Sequence, residues 1–506
     1  AIPAFAYDTE EVRAHHSFEA FQIFQGDVSD DNTKISNVKW GKNITNSTDF
    51  LEKLTADPTI SGEFNNPTTA QDVLAVISKW HDSDDNSIAF ARFVCHYLYP
   101  DANATPEPAV KGGGGSDFLH FDEAGYYLVV DTTPFNPGDF DHAYNSFLLM
   151  VTRANWNVSI TPKAEKPTVE KEVFDNFDNQ DGTSTGGFGS SADHAINEKF
   201  QFKLTATLPA STDHAYDYYD TYAVCFKDTL SEGITYDGPD SVVIKSNNNT
   251  YDTTIDPSKY TITESQNSFV VKIPDVKTCA EGLDLNDGAT ITVTYTAHLN
   301  DKAYVNTGSD STENKNSVQL QYSNNPRNSA YWGFTPESEV CVYTYQLNNT
   351  KYHDDDTPGN ELAGAGFKLY SDADCKNEVK LYQKDNFYFP IKDATDKKAV
   401  EEMYSDKDGK FNIKGLDAGT YYLKETKTPD DYSACADKEI VISATHDVNH
   451  VSLSGNLSTT IINKKAGGIT LPSTGGIGTT LFYVVGGGLM VAAIVLLVTK
   501  KRMENK

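Results

Sequence analysis

Three side-chain types recur on the inward faces of strand-like segments, twice, in this 506-residue chain. In PTVEKEV, Val169, Lys171 and Val173 share a face. In AVCFKDTL the shared face is Val224, Phe226, Asp228 and Leu230, and in SVQLQYSNN it is Val318, Leu320, Tyr322 and Asn324. Further on, Lys351 has the parity of Cys341, Tyr343, Tyr345 and Leu347. Glu425 falls in line with Tyr421 and Leu423, and Asn463 with Thr459 and Ile461. An amine, a carboxyl and a carboxamide thus point into one apolar core and then into another. A lone charged lysine or carboxylate costs several kcal/mol to bury, so such groups require a partner or a chemical purpose. A buried salt bridge would account for one set. Two sets in the same chain order favour chemistry. Asn325 and Asp220 are fallbacks in the earlier set, disfavoured by parity.

A different chemistry is set out near the C-terminus. Leu471, Pro472, Ser473, Thr474, Gly475 and Gly476 spell LPSTGG, ahead of a charge-free run from Leu481 to Thr499 and a basic tail from Lys500. Pro472 fixes an extended backbone, and Gly475 allows a nucleophile to approach closely. At 1.5 Å per residue the run reaches about 28 Å, enough to cross a bilayer. The following Lys500, Lys501 and Arg502 place the tail in the cytoplasm and residues 1–480 outside. In WNVSITPK, alternation puts Trp156, Val158, Ile160 and Pro162 on one face, leaving Lys163 exposed at a domain joint.

The elements that hold these residues are mostly strands. FKLTATL, TITVTYTAHL and SVQLQYS, then AGFKLYS, GKFNIKGL and GTYYLKETK, alternate with period two between Asp/Gly/Pro turns. They predict tandem β-sandwiches of immunoglobulin-like type. The first part is mixed α+β, with helical spacing over Ala70 to His81 and Ser87 to Leu98. The expected organisation is 1–6 as a signal-peptide remnant, 7–163 as a first domain, 164–335 as a second and 336–465 as a third. A linker (466–480), a transmembrane helix (481–499) and a tail (500–506) follow. A net charge of −30 argues against nucleic acid as a partner. The six cysteines form no C-x-x-C pair; Cys225 with Cys279 and Cys375 with Cys435 could pair, which spacing alone leaves open. DKDGKF lacks acidic residues at the ends of an EF-hand loop and reads as a turn. His446 and His450 read as surface histidines rather than metal ligands. The sequence holds no nucleophile triad, phosphate loop or paired catalytic carboxylates.

LPSTGG, the apolar span and the basic tail together resemble the cell-wall sorting signal of Gram-positive surface proteins. GAGFKLYS, GKFNIKGLDAGTYYLKETKTPDDY and IINKK resemble the collagen-adhesin B-type fold, and YYLKETKTP is similar to the pilin E-box. FEAFQIFQGDV and GYYLVVD resemble, more loosely, the first domain of major pilins. The resemblance as a whole is to sortase-assembled backbone pilins. It implies a mainly β fold and a sortase cutting between Thr474 and Gly475. It also implies Lys–Asn isopeptide bonds promoted by buried acids, assigned to Lys171–Asn324 with Asp228 and Lys351–Asn463 with Glu425. Lys163 resembles the pilin-motif lysine that accepts Thr474 of a neighbouring copy, although Thr161 replaces the family's tyrosine. Val129 and Val130 stand where an E-box glutamate would fall, so no such bond is expected in the first domain. The implied partners are sortase, identical subunits and peptidoglycan, with ancillary pilins and host surface ligands as further candidates. No cofactor or metal is implied. The other reading is a monomeric wall-anchored adhesin that binds host matrix or glycan.

Overall fold

A computed structural model describes residues 17–31, 34–81, 84–101, 103–112, 118–132, 146–151, 156–159, 166–176, 186–212, 214–248, 252–307, 314–327, 329, 332–391, 398–455 and 457–467. The signal remnant, Lys163, the LPSTGG hexapeptide, the apolar run and the tail lie outside the described residues. Among those residues no helix is long and apolar enough to cross a membrane.

The first unit is an antiparallel sheet in the order Ile35–Trp40, Phe18–Val28, Gly125–Asp131, Ser146–Val151. FEAFQIFQ is apolar on both faces because both are covered. Phe21, Ile23 and Phe24 meet Phe50, Val73, Phe90 and Val94 of the helices Ser47–Ala56, Ala70–Ile77 and Asp85–Leu98. Phe18 and Ala20 face Leu119, Phe121 and Val129 instead. Helical spacing through His81 overran the observed end at Ile77; its start is fixed by a capping box of Thr69 and Asp72. The ribbon of Phe118–Phe121 and Trp156–Ser159 leads toward the next unit.

The second unit stacks two seven-stranded sheets. One contains Val224–Leu230, Lys315–Ser323 and Ser338–Tyr343; the other contains Thr168–Asp175, Lys199–Leu208 and Ala289–Leu299. Alternation in TITVTYTAHL is realised residue by residue, with Ile291, Val293, Tyr295, Ala297 and Leu299 all buried. The third unit is a smaller sandwich. Tyr345–His353 lies beside Ser458–Lys465 in one sheet, and Gly366–Tyr370, Gly419–Lys427 and Lys438–His446 form part of the other.

The joint between these two sandwiches differs from the sequence expectation. Ser338–Tyr343 belongs to the second unit, pairing with Lys315–Ser323 and Ser191–Asp193. The chain therefore changes sandwich at Thr344, not near residue 335. The turn-rich segment before it is a loop within the second unit that returns to the same sheet. The joint is closely packed: Phe389 joins the second unit's core, and Ile196 donates its N–H to Gly415 O at 2.9 Å. Gly415 has φ +83°, and a Cβ there would lie 2.4 Å from Ile196 Cδ1. Gly415→Ala is expected to lower unfolding stability by about 1–3 kcal/mol, read as a lower urea midpoint. An unchanged midpoint would show that the joint has slack.

Candidate functional site

Lys351 and Asn463 come from neighbouring parallel strands, in which Lys351 is paired with Ile461 and His353 with Asn463. Glu425 reaches them from the opposite sheet. All three side chains are sealed from water. Lys351 Nζ lies 2.5 Å from Asn463 Oδ1 and 3.5 Å from Glu425 Oε1. Asn463 Nδ2 donates to Glu425 Oε1 at 2.7 Å, and the Cys435 N–H donates to Glu425 Oε2 at 2.9 Å. Burial pulls the Lys351 amine below its usual range, against the opposing effect of Cys435 and Glu425. The carboxyl thus touches both the amine and the amide nitrogen, and the amine touches the amide oxygen. This geometry suits acyl transfer from the asparagine carbonyl to the lysine.

The second unit builds its cluster across the sandwich. Lys171 and Tyr295 come from one sheet, Asp228 and Asn316 from the other. All four are buried. Lys171 Nζ bonds Asp228 Oδ2 and also donates to the Tyr295 hydroxyl at 3.1 Å. That hydroxyl donates to Asp228 Oδ1 at 3.0 Å and accepts from Asn316 Nδ2 at 2.6 Å. Burial pulls the Lys171 amine down to about 8, opposed by Asp228. It pushes the Asp228 carboxyl up, opposed by Lys171. Both shifts favour the neutral forms.

Asn324 is not at this cluster, which corrects the sequence assignment. Asp228 pairs with Val318; Asn324 lies six residues beyond, roughly 20 Å along an extended chain. Asn316 pairs with Leu230, two residues along from Asp228 and on the same face. It has the same parity as Val318 and Leu320, so the signal was present in the sequence. The strand begins at Lys315, two residues before the segment first taken to define it. Asn316 Oδ1 is buried without a hydrogen-bond partner, an orphan of the kind a reaction would resolve. Tyr295 was also missed, since a tyrosine among strand residues reads as core. The fallbacks lie elsewhere. Asp220 faces His96 and Arg92 at the joint with the first unit, and Asn325 Oδ1 accepts the Arg327 N–H in a turn.

Other expectations also change. The cysteine pairing that spacing left open does not occur: all six are free thiols, with Cys375 Sγ against Asp437 and the Cys435 N–H donating to Glu425. His446 is not a surface residue: its side chain is 6% exposed, between two acids of the second unit. In the ribbon ahead of Lys163, Val158 packs inward and Asn157 bonds His120 on the exposed side, as the alternation predicts up to that point.

The pKa direction sets a test. Between about 8 and the ordinary lysine value of 10.5, an unfolded Lys171 holds a proton that the folded amine has released. Stability therefore rises with pH across this window. An Asn316→Ala variant, which keeps the amine free, is expected to gain stability from pH 8 toward 10, relative to Lys171→Met/Asn316→Ala. Parallel pH profiles from urea unfolding would contradict the assignment.

With this geometry in place, comparison with known proteins is informative. Residues 348–456 match the prealbumin-like SpaA domain, and residues 463–505 match the LPXTG cell wall anchor motif. The T6 backbone pilin of serotype M6 Streptococcus pyogenes is similar in fold, at 17% identity over 90% of this chain and 97% of that one, with a TM-score of 0.50. The major pilin SpaD of Corynebacterium diphtheriae aligns at 19% identity over 89% of this chain and 93% of its own, TM-score 0.44. The group B streptococcus pilus 2b backbone protein aligns at 23% identity over 54% and 95%, TM-score 0.40. No curated protein sequence is a significant match.

Proposed function

We propose that this mainly β, wall-anchored surface protein is the shaft subunit of a covalently polymerised pilus, in which lysine amines serve as couplers within and between copies. The observation that carries the reading is the pair of buried clusters, each joining the first strand of a sandwich to a late one. In the third unit the neutral Lys351 amine attacks the Asn463 side-chain carbonyl, and a C–N bond forms. Glu425 takes a proton from the amine and hands one to Nδ2, which lies 2.7 Å away. The C–Nδ2 bond breaks and ammonia leaves. The catalyst is regenerated and no co-reactant is needed. In the second unit Lys171 and Asn316 play the same parts with Asp228 as the acid. Tyr295, which touches all three, relays protons among them.

The closed loops span 463 − 351 = 112 and 316 − 171 = 145 residues. By analogy with disulfides, each closure contributes roughly 5 kcal/mol through the unfolded state. The mechanical effect is larger, because a covalent tie carries tension past the hydrogen-bonded ladder.

Between copies, the Thr474–Gly475 peptide bond is exchanged for a thioester on a sortase cysteine. The Lys163 amine of the next copy then displaces that sulfur. Joining unlike surfaces in this way gives an open filament. Lys163→Ala is expected to collapse the high-molecular-mass ladder in wall extracts to monomer, while wall attachment of the monomer persists. A ladder that is unchanged would assign the linkage to another lysine. Wild-type extracts containing monomer alone would favour the adhesin reading.

A further inference from the structure

Among the described residues three acid-and-histidine groups remain outside the chemistry above, and one has the makings of a metal centre. Asp175, Asp193 and His446 offer one ligand atom each, all within 4.8 Å of one another. They come from both sides of the joint: Asp175 ends the strand Thr168–Asp175, Asp193 ends Ser191–Asp193, and His446 ends Lys438–His446 of the third unit. We propose that this joint binds one divalent transition-metal ion, zinc by its donor set, through Asp175 Oδ2, Asp193 Oδ1 and His446 Nε2.

In each ligand the atom not facing the centre is held by a neighbour. Asp175 Oδ1 accepts the Asp193 N–H at 3.2 Å. Asp193 Oδ2 accepts the Tyr345 hydroxyl at 2.6 Å. His446 Nδ1 bonds the Ser191 hydroxyl at 2.9 Å, and its ring packs on Tyr343 at 5.6 Å between centroids. Outer partners of this kind fix the orientation of metal ligands. The atoms facing the centre are spaced as ligands rather than as hydrogen-bond partners: His446 Nε2 lies 3.7 Å from Asp175 Oδ2 and 3.8 Å from Asp193 Oδ1. Tetrahedral zinc with bonds near 2.1 Å places its ligands about 3.4 Å apart, so small side-chain shifts close the site.

Asp193 supplies the independent observation. It is wholly buried, and its Oδ1 has no hydrogen-bond partner. Two buried carboxylates exceed the charge one imidazole can balance, and a divalent cation removes that deficit. An imidazole nitrogen with two carboxylate oxygens suits zinc; calcium would demand six or more oxygens. The other groups serve less well. In the His194, Glu198, Asp417 group both Glu198 oxygens already accept hydrogen bonds, from Asn176 Nδ2 and the Ala195 N–H, and the Asp85, His214, Asp217 group is partly exposed.

Because the ligands belong to two sandwiches, the ion staples the joint independently of the amide bonds and of polymerisation. The test uses the full chain in detergent, stripped with chelator and titrated with zinc chloride by calorimetry. The expected result is one zinc per chain, with saturating zinc raising the melting temperature by roughly 2–5 °C. His446→Gln and the near-isosteric Asp193→Asn should each weaken zinc binding at least tenfold while melting within the metal-free range of the wild type. His450→Ala, four residues from His446, should bind as the wild type does. Substoichiometric binding, a His446→Gln variant that binds normally, or loss of binding in His450→Ala would overturn the proposal. So would an Asp193→Asn variant with unchanged affinity.

Discussion

A lysine amine shut away from water has to be answered by its surroundings, and each sandwich is arranged around that demand. Lys171 and Lys351 are sealed from solvent, and each sits on an edge of the core where a carboxyl and a carboxamide converge. Desolvation lowers both amines, and a neutral amine is the form that can attack a carbonyl. On the proposed chemistry, burial that would be a defect in another core becomes the source of reactivity. Removing only one member would leave a charge with no answer, which is why acid, amine and amide appear as complete sets.

The two sets solve the same problem with different layouts. In the third unit, amine and amide sit on adjacent parallel strands and the acid comes from across the sandwich. In the second unit, amine and acid meet across the sandwich, and Tyr295 fills the gap to Asn316. The longer reach of a tyrosine hydroxyl lets two sheets about 10 Å apart share one hydrogen-bonded cluster. If both units close covalently as proposed, the contact between them is the non-covalent packing of Ile196 on Gly415.

Much of this was legible in the sequence, because strand alternation has a strict period of two and survives tertiary packing. The inward faces of Lys171, Asp228, Lys351, Glu425 and Asn463 are all buried as alternation predicts. What alternation does not provide is position along a strand. Asn316 and Asn324 share a parity, and only the register of Val318 against Asp228 separates them. The boundary near residue 335 failed for a related reason: a turn-rich stretch marks a loop, and only pairing tells whether the chain afterwards returns to its old sheet. His446 was misjudged because its burial is produced by a different unit, over 250 residues away in sequence by its bond to Ser191. No local pattern encodes that contact.

The most direct measurement is the intact mass of the secreted portion, in the wild type and in two single variants, set against the mass each sequence requires. The wild type should be lighter than its sequence by two ammonia molecules, about 34 Da. Asn316→Ala should show a deficit of one, about 17 Da, while Asn324→Ala keeps both. A wild type at its full sequence mass would contradict the covalent account altogether. A lost deficit in Asn324→Ala instead of Asn316→Ala would contradict the geometry of the second cluster.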